Sequence, residues 1–231
     1  MLPVAILAGG LATRLGNLAK DTPKSLIEVA GKPFIFHQLY LLRKSGVEKV
    51  VICAGHLGHK LQKAVGDGSD LGLEIRYSFD GPKPLGTGGA IRKALPHLPG
   101  LFLILYGDSY LEVDYREVAK AFLYSGKLAL MTVYRNTGRW DKSNVVYENG
   151  VVRLYDKNAE GVEMHYIDYG LTCMTKEVIA GWPSEGFDLA EVLTNLSIRR
   201  ELAGFEATDR FFEVGSSAGI EDLERHLASR G

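Results

Sequence analysis

Through its first 135 residues the chain alternates short apolar runs with segments whose apolar residues recur at helical spacing, and few folds accept that order. Val4–Ala8, Lys49–Ala54, Leu73–Phe79, Leu101–Tyr106 and Ala129–Arg135 read as strands; Phe34–Ser45, Leu57–Val65, Gly88–Leu95 and Val118–Tyr124 read as helices. Strands as apolar as Val50-Val51-Ile52-Cys53-Ala54 leave no face for water, so each must be covered on both sides. A helix between successive strands supplies that cover and returns the chain for parallel pairing. The pattern predicts an α/β fold, a three-layer sandwich around a doubly wound, mostly parallel sheet. After Arg135 the rhythm changes. Asn144–Tyr147, Val151–Tyr155 and Tyr166–Met174 look like antiparallel strands with a tight turn at Glu148-Asn149-Gly150. A helix at Leu189–Leu202, a short strand at Phe211–Val214 and a helix at Ile220–Ala228 follow. One domain spanning 1–231 is expected, its halves meeting near residue 135.

With 231 residues and 46% hydrophobic composition, the chain is long enough for one large core. Its 27 basic and 28 acidic residues leave a net charge of −1, so no global field draws it to nucleic acid or anionic membrane. No run approaches the roughly 20 apolar residues of a membrane span. Val4–Ala8 is too short for a secretory signal and has no basic residue before it. Cys53 and Cys173 lie in apolar runs without metal-ligand spacing and read as reduced core thiols, so a cytoplasmic location is expected.

Glycine is enriched, at 27 residues, and many glycines fall in short runs. Leu7-Ala8-Gly9-Gly10-Leu11-Ala12-Thr13-Arg14-Leu15-Gly16 follows the first strand, and ligands of open parallel sheets bind beyond the carboxyl ends of the strands. Paired glycines let backbone N–H groups approach phosphate oxygens, and Arg14 and Lys24 add two cations. A tight turn flanked by solvated cations is the plainer alternative. The run matches neither G-x-x-x-x-G-K-[ST] nor G-x-G-x-x-G.

The segment from Leu7 to Leu15, followed by Pro23-Lys24, resembles the signature of the sugar-phosphate nucleotidylyltransferases, GT-A-like Rossmann enzymes that make nucleotide sugars. The resemblance extends from Ala5 to about Leu223. It implies that Leu7, Ala8, Gly9, Gly10, Thr13 and Arg14 hold the nucleotide and that Lys24 neutralises charge at the reacting phosphorus. Residues 1–135 would then be the nucleotide-binding half, and 136–231 the sugar-phosphate half with its small antiparallel subregion. A second run, Pro84-Leu85-Gly86-Thr87-Gly88-Gly89-Ala90, precedes a helix whose free N–H groups suit a nucleotide, or is simply a glycine-rich helix start. In the family a run similar to Leu85, Gly86, Thr87 and Gly88 lies against the base and ribose. This version is closer to the guanylyl- and uridylyltransferase forms than to the thymidylyl form.

Gly107-Asp108 ends the apolar strand Leu101–Tyr106. Mg²⁺ takes few protein carboxylates and keeps phosphate oxygens and waters, so Asp108 is the expected ligand of a magnesium on the NTP, or otherwise a helix cap. The resemblance makes Glu213 the second metal ligand, in place of the family's usual aspartate, and its carboxylate would have to lie across the cleft from Asp108. A surface strand residue is the alternative for Glu213. On the sugar side the resemblance points to Gly107, Asp108, Asn144, Asp156, Lys157, Asp168 and Gly170. Lys157 would bind the phosphate, Gly170 would let the ring pack on backbone, and Asp168 replaces the usual asparagine. Arg139-Trp140 could also serve this substrate, and Asn144, Trp140 and Tyr169 read equally as ligand contacts or as solvated loop and packing residues. His56 and His59 share a helix face without a third ligand and read as a solvated helix start, and Arg199-Arg200 as the polar face of a helix.

The expected activity is transfer of a nucleotidyl group from an NTP to a sugar 1-phosphate, with Mg²⁺ as cofactor and Arg14, Lys24 and Asp108 as the catalytic groups. The partners expected are the NTP and the sugar 1-phosphate, with no nucleic acid and no membrane. The heptose 1-phosphate guanylyltransferases are the most similar subfamily. A uridylyltransferase for a hexose or N-acetylmuramate 1-phosphate, a cytidylyltransferase for a phosphorylated alcohol and a non-catalytic nucleotide-sugar-binding subunit are the alternatives. No residues remain for the hexapeptide β-helix some relatives carry, so a monomer or homodimer without acyltransferase activity is expected.

Overall fold

The computed structural model describes residues 1–10, 22–138 and 142–230. Along the chain, β1 (Val4–Leu7) leads to a small hairpin of β2 (Glu28–Val29) and β3 (Lys32–Pro33), then to α1 (Phe34–Lys44). Next come β4 (Lys49–Ala54), α2 (Gly58–Val65), β5 (Glu74–Phe79), α3 (Gly86–Ala94), β6 (Leu101–Tyr106), β7 (Ser109–Leu111), α4 (Tyr115–Ser125) and β8 (Ala129–Arg135). The second half contains β9 (Val145–Glu148), β10 (Val151–Tyr155), β11 (Tyr166–Thr175), α5 (Lys176–Ala180), α6 (Leu189–Ile198), β12 (Leu202–Ala207), β13 (Phe211–Glu213) and α7 (Ser217–Ala228).

Nine of these strands make one mixed sheet in the order β5-β4-β1-β6-β11-β8-β12-β10-β9. The pairs β5–β4, β4–β1, β1–β6 and β8–β12 are parallel. β11 runs against β6 and β8, and β10 against β12 and β9, so only these two strands oppose the other seven. Side-chain alternation divides the core between the two faces. Val4, Ile6, Val50, Ile52, Leu103 and Leu105 meet α1, α2 and α4 on one face. Ala5, Val51, Cys53, Phe102 and Ile104 meet α3, α5 and α6 on the other. The Asn149-Gly150 turn has both φ angles positive (49° and 80°), the geometry that fits a two-residue hairpin between β9 and β10.

Two expectations are corrected. The helix read as Leu189–Leu202 stops at Ile198, and Leu202–Ala207 is β12, which pairs in parallel with β8 from Leu202↔Ala129 onward. Arg199-Arg200 is the turn between them rather than a helix face: Arg200 takes φ 59° and the Glu201 amide donates to the Leu196 carbonyl. The sequence pattern also passed over β7, which pairs with β13 through Ser109↔Glu213 and encloses a third small core of Val29, Phe34, Tyr110, Phe212, Val214 and Leu223.

Candidate active site

A cleft of about 630 Å³ opens along the carboxyl ends of β5, β4, β1 and β6. Its position follows from sheet geometry, because each parallel strand delivers its following loop to this edge. Two backbone bonds hold the floor: the Ala8 amide donates to the Cys53 carbonyl at 2.9 Å, and the Gly107 amide to the Leu7 carbonyl at 3.0 Å. The walls include Leu7, Ala8, Gly9 and Gly10 after β1, Lys24, Gly86 and Thr87 at the start of α3, and Gly107 and Asp108 after β6. Nine of the expected residues, far apart in sequence, thus meet in one space. Thr13 and Arg14 lie outside the described residues, as do Arg139 and Trp140.

Lys24 Nζ stands 2.6 Å from Asp108 Oδ2, both side chains largely sheltered at 15% and 32% exposure. Lys24 opens a short turn after Pro23, which has no N–H to leave unpaired there. Asp108 is held through its backbone. Its carbonyl accepts from Val214 at 2.8 Å, and the buried Gln38 amide donates to the carbonyls on either side, Tyr106 at 2.9 Å and Ser109 at 2.7 Å. The helix-cap alternative for Asp108 is not met, since α4 is capped by Asp114, which accepts from the Arg116 and Glu117 amides.

The second glycine run is only partly in the cleft. Gly86 adopts φ 74°, and a Cβ on it would stand 2.5 Å from the Phe187 carbonyl oxygen. Gly88 and Leu85 stand behind the residues that line the cleft. The Gly88 amide is already spent on the Phe187 carbonyl at 2.9 Å, its Cα lies under the Phe187 ring, and the Leu85 carbonyl accepts from the Phe187 amide at 3.0 Å. They fasten α3 to the segment before α6. Thr87 faces Asp188, and its hydroxyl accepts from the Leu189 amide at 2.8 Å.

The sugar-side residues gather beyond Tyr106. β11 changes register between Asp168 and Thr172, and Gly170, at φ 102°, sits in that irregularity against Ser109 and Tyr106. Asp168 accepts from the Gly170 amide at 3.0 Å and the Tyr155 hydroxyl at 3.3 Å, while its own amide donates to Asn144 Oδ1 at 3.0 Å. Burial pushes the Asp168 carboxyl above the usual carboxylate range, opposed by the Gly170 amide and by Lys157. Lys157 Nζ lies 6.0 Å from the Tyr106 ring centre. Asp156 turns back to accept from the Asn158 amide at 2.8 Å, the bond of a local turn. Glu213 stands on β13 in register with Ser109, so it neighbours the Asp108 turn from the adjacent strand and is exposed there instead of lining the cleft opposite.

Asp80, Gly55, His56, Tyr106, Asp188 and Gly215 also line the cleft and were not anticipated there. All but Asp188, the N-cap of α6, follow or end a strand, and only the strand order reveals that they meet. His59 stacks on Phe79 at 4.6 Å, in keeping with a helix-start role. Burial raises the Asp80 carboxyl, against the pull of Lys93. Cys53 and Cys173 are free and buried, and burial pushes the Cys53 thiol up to about 12. Among the described residues no three His, Cys, Asp or Glu groups converge on a closed metal site, and no helix is long and apolar enough to cross a membrane. Asp108 offers one carboxylate in the cleft, paired with Lys24.

The chain matches the family model described as nucleotidyl transferase over residues 4–158. It is 28% identical over 212 residues to D-glycero-alpha-D-manno-heptose 1-phosphate guanylyltransferase of Campylobacter jejuni, covering 91% of this chain and 93% of that one. It is 41% identical over 111 residues to N-acetylmuramate alpha-1-phosphate uridylyltransferase of Neisseria meningitidis, covering 48% of each. The fold is similar to the crystal structure of HddC from Yersinia pseudotuberculosis complexed with GMP-PN, with a TM-score of 0.82, 22% identity, and coverage of 98% of this chain and 100% of that one. The family match begins at β1 and runs past Lys157, taking in the Lys24–Asp108 pair and most of the cleft wall, and the chain belongs to the nucleotidyl transferase family.

Proposed function

We propose that the chain transfers a nucleotidyl group from an NTP to a sugar 1-phosphate, with release of pyrophosphate, and that GTP and a heptose or hexose 1-phosphate are its substrates. The observation that carries this reading is the Lys24–Asp108 pair, set under the glycine loop of β1 with Lys157 beyond Tyr106. An oxygen of the sugar phosphate is anionic at neutral pH, so attack on the α-phosphorus needs no side-chain base. The new P–O bond forms as the bond to the bridging oxygen of pyrophosphate breaks. Catalysis is then positioning and charge stabilisation. Mg²⁺, when bound, would neutralise phosphate charge, with Asp108 as the group to hold it and Glu213, reaching in from the strand beside the Asp108 turn, as the second carboxylate. Lys24 places its ammonium at the reacting phosphorus, Arg14 serves the NTP phosphates, and Lys157 serves the phosphate of the acceptor. Gly9 and Gly10 keep the loop free of side chains, so the phosphates reach backbone N–H groups.

The same reading takes residues 1–231 as one GT-A-like three-layer unit, active as a monomer or homodimer. Two buried free thiols support a reducing compartment such as the cytoplasm. Use of UTP is the second reading, favoured by the 41% identity to a uridylyltransferase over 111 residues. Pyrophosphate release across the four common NTPs, crossed with mannose, glucose, heptose and N-acetylmuramate 1-phosphates, tests both. A single GTP-dependent pair is expected; no release from any pair would refute the reaction.

A further inference from the structure

Tyr106 belongs to both halves of the site. It ends β6, and strand alternation puts it on the face of Phe102 and Ile104, the face that also carries Val145, Val152 and Tyr155 of the second half. It lines the nucleotide cleft beside Gly107 and Asp108, yet its ring lies 6.0 Å from Lys157 Nζ. Gly170 is shaped around it. A Cβ there would stand 3.6 Å from Tyr106 Cδ2 and 3.1 Å from Ser109 Oγ, on a backbone with φ 102° that disfavours any side chain. Among the described residues the Tyr106 hydroxyl has no hydrogen-bond partner, although the backbone carbonyl of the same residue is held by Gln38. The half-buried phenol stands close to Lys157 and among the carboxylates of Asp168, Asp108 and Asp188, which with burial keep it protonated, a neutral donor for an oxygen of a bound phosphate.

We propose that Tyr106 joins the two substrate sites: its ring seats the Lys157 ammonium and its hydroxyl donates to the phosphate of the acceptor sugar 1-phosphate. This assignment rests on the reaction proposed above and adds to it a positioning and specificity residue. The ring fixes where the lysine charge sits, and the hydroxyl supplies a neutral donor that a second cation would not mimic. Nucleotide binding, by contrast, depends on the β1 loop, Lys24 and the start of α3, and does not use the phenol.

The test separates hydroxyl from ring. Tyr106→Phe removes only the donor and should raise KM for the accepted sugar 1-phosphate about tenfold, the scale of one hydrogen bond to a charged group, while the NTP KM is unchanged. Tyr106→Leu also removes the ring and should cost more than Tyr106→Phe when Lys157 is present, but no more than Tyr106→Phe in a Lys157→Ala background. An equal rise in both KM values, or a ring effect that persists without Lys157, would overturn the proposal in favour of a packing role. If no sugar 1-phosphate turns over, the proposed reaction fails first. Calorimetric titration with inorganic phosphate then tests Tyr106 separately: weaker uptake by both Tyr106→Phe and Lys157→Ala supports the anion seat, and unchanged uptake refutes it.

Discussion

Replacing Gly107 with alanine should damage catalysis more than stability. The Gly107 amide donates to the Leu7 carbonyl at 3.0 Å, and a Cβ built on Gly107 would stand 2.5 Å from that same oxygen and 3.0 Å from Ala8 Cα. Cβ contacts under 3.0 Å are essentially never found, so the ends of β1 and β6 must part by about half an ångström. The obstructing atoms are backbone in the middle of a sheet, and no flexible side-chain tip is there to yield. Overpacking of this kind costs about 1–3 kcal/mol, and each kcal/mol lowers Tm by roughly 2–4 °C in a chain of this length. Asp108 is the next residue, and its contact to Lys24 is only 2.6 Å. Misplacement by about 1 Å is worth roughly 10²-fold in rate, so half that shift predicts a loss of about tenfold in kcat. Thermal melts and continuous pyrophosphate detection, run on the same preparation at saturating NTP, separate the two effects. A variant with wild-type kcat and Tm would show that the floor of the cleft does not need a glycine, and would refute the close-approach reasoning.

Asp108→Asn keeps the size of the side chain and removes its charge, so turnover should fall by about 10² or more with Mg²⁺ while circular dichroism stays native; full turnover in chelator-treated buffer would remove Asp108 from the metal role. Glu213→Gln should raise the Mg²⁺ concentration for half-maximal rate, and an unchanged metal titration would leave Glu213 as a residue of β13 alone. Asp168→Asn should raise Tm at neutral pH. Burial raises the folded pKa of Asp168 above its unfolded value, so the charged form carries a cost that is fully present above the folded pKa and absent below the unfolded one. The stabilisation by Asn should therefore shrink as the pH of the melt falls through the carboxylate range, and a pH-independent difference would argue against a charge effect.

Much of the parallel half was legible because the middles of its strands are buried on both faces and are therefore mostly apolar. Lys49–Ala54, Leu101–Tyr106 and Ala129–Arg135 were bounded to the residue on that ground. β12 was missed for the opposite reason. Leu202-Ala203 continues the apolar character of α6, and what separates them is a backbone event at Arg200, with φ 59°, that a non-glycine residue does not advertise. β7 is three residues long, too short for any periodicity to register, whereas the equally short β13 was legible within Phe211–Val214.

The glycine loop, Lys24 and Asp108 could be named from residue type and local order, because phosphate chemistry demands cations, bare backbone and a carboxylate after a strand; Lys157 was pointed to by the family resemblance alone. What those residues do to one another was decided by strand order. Placing β1 between β4 and β6 sets the Lys24 ammonium on Asp108, brings Asp80 and His56 to the same edge, and turns Tyr106 toward Lys157. The fastening of Gly88 and Leu85 to Phe187 was equally invisible, since it joins residues about a hundred positions apart through a carbonyl that every amino acid carries. Residue chemistry is written along the chain; which groups share a cleft depends on long-range pairing of backbone whose hydrogen bonds are the same for every sequence.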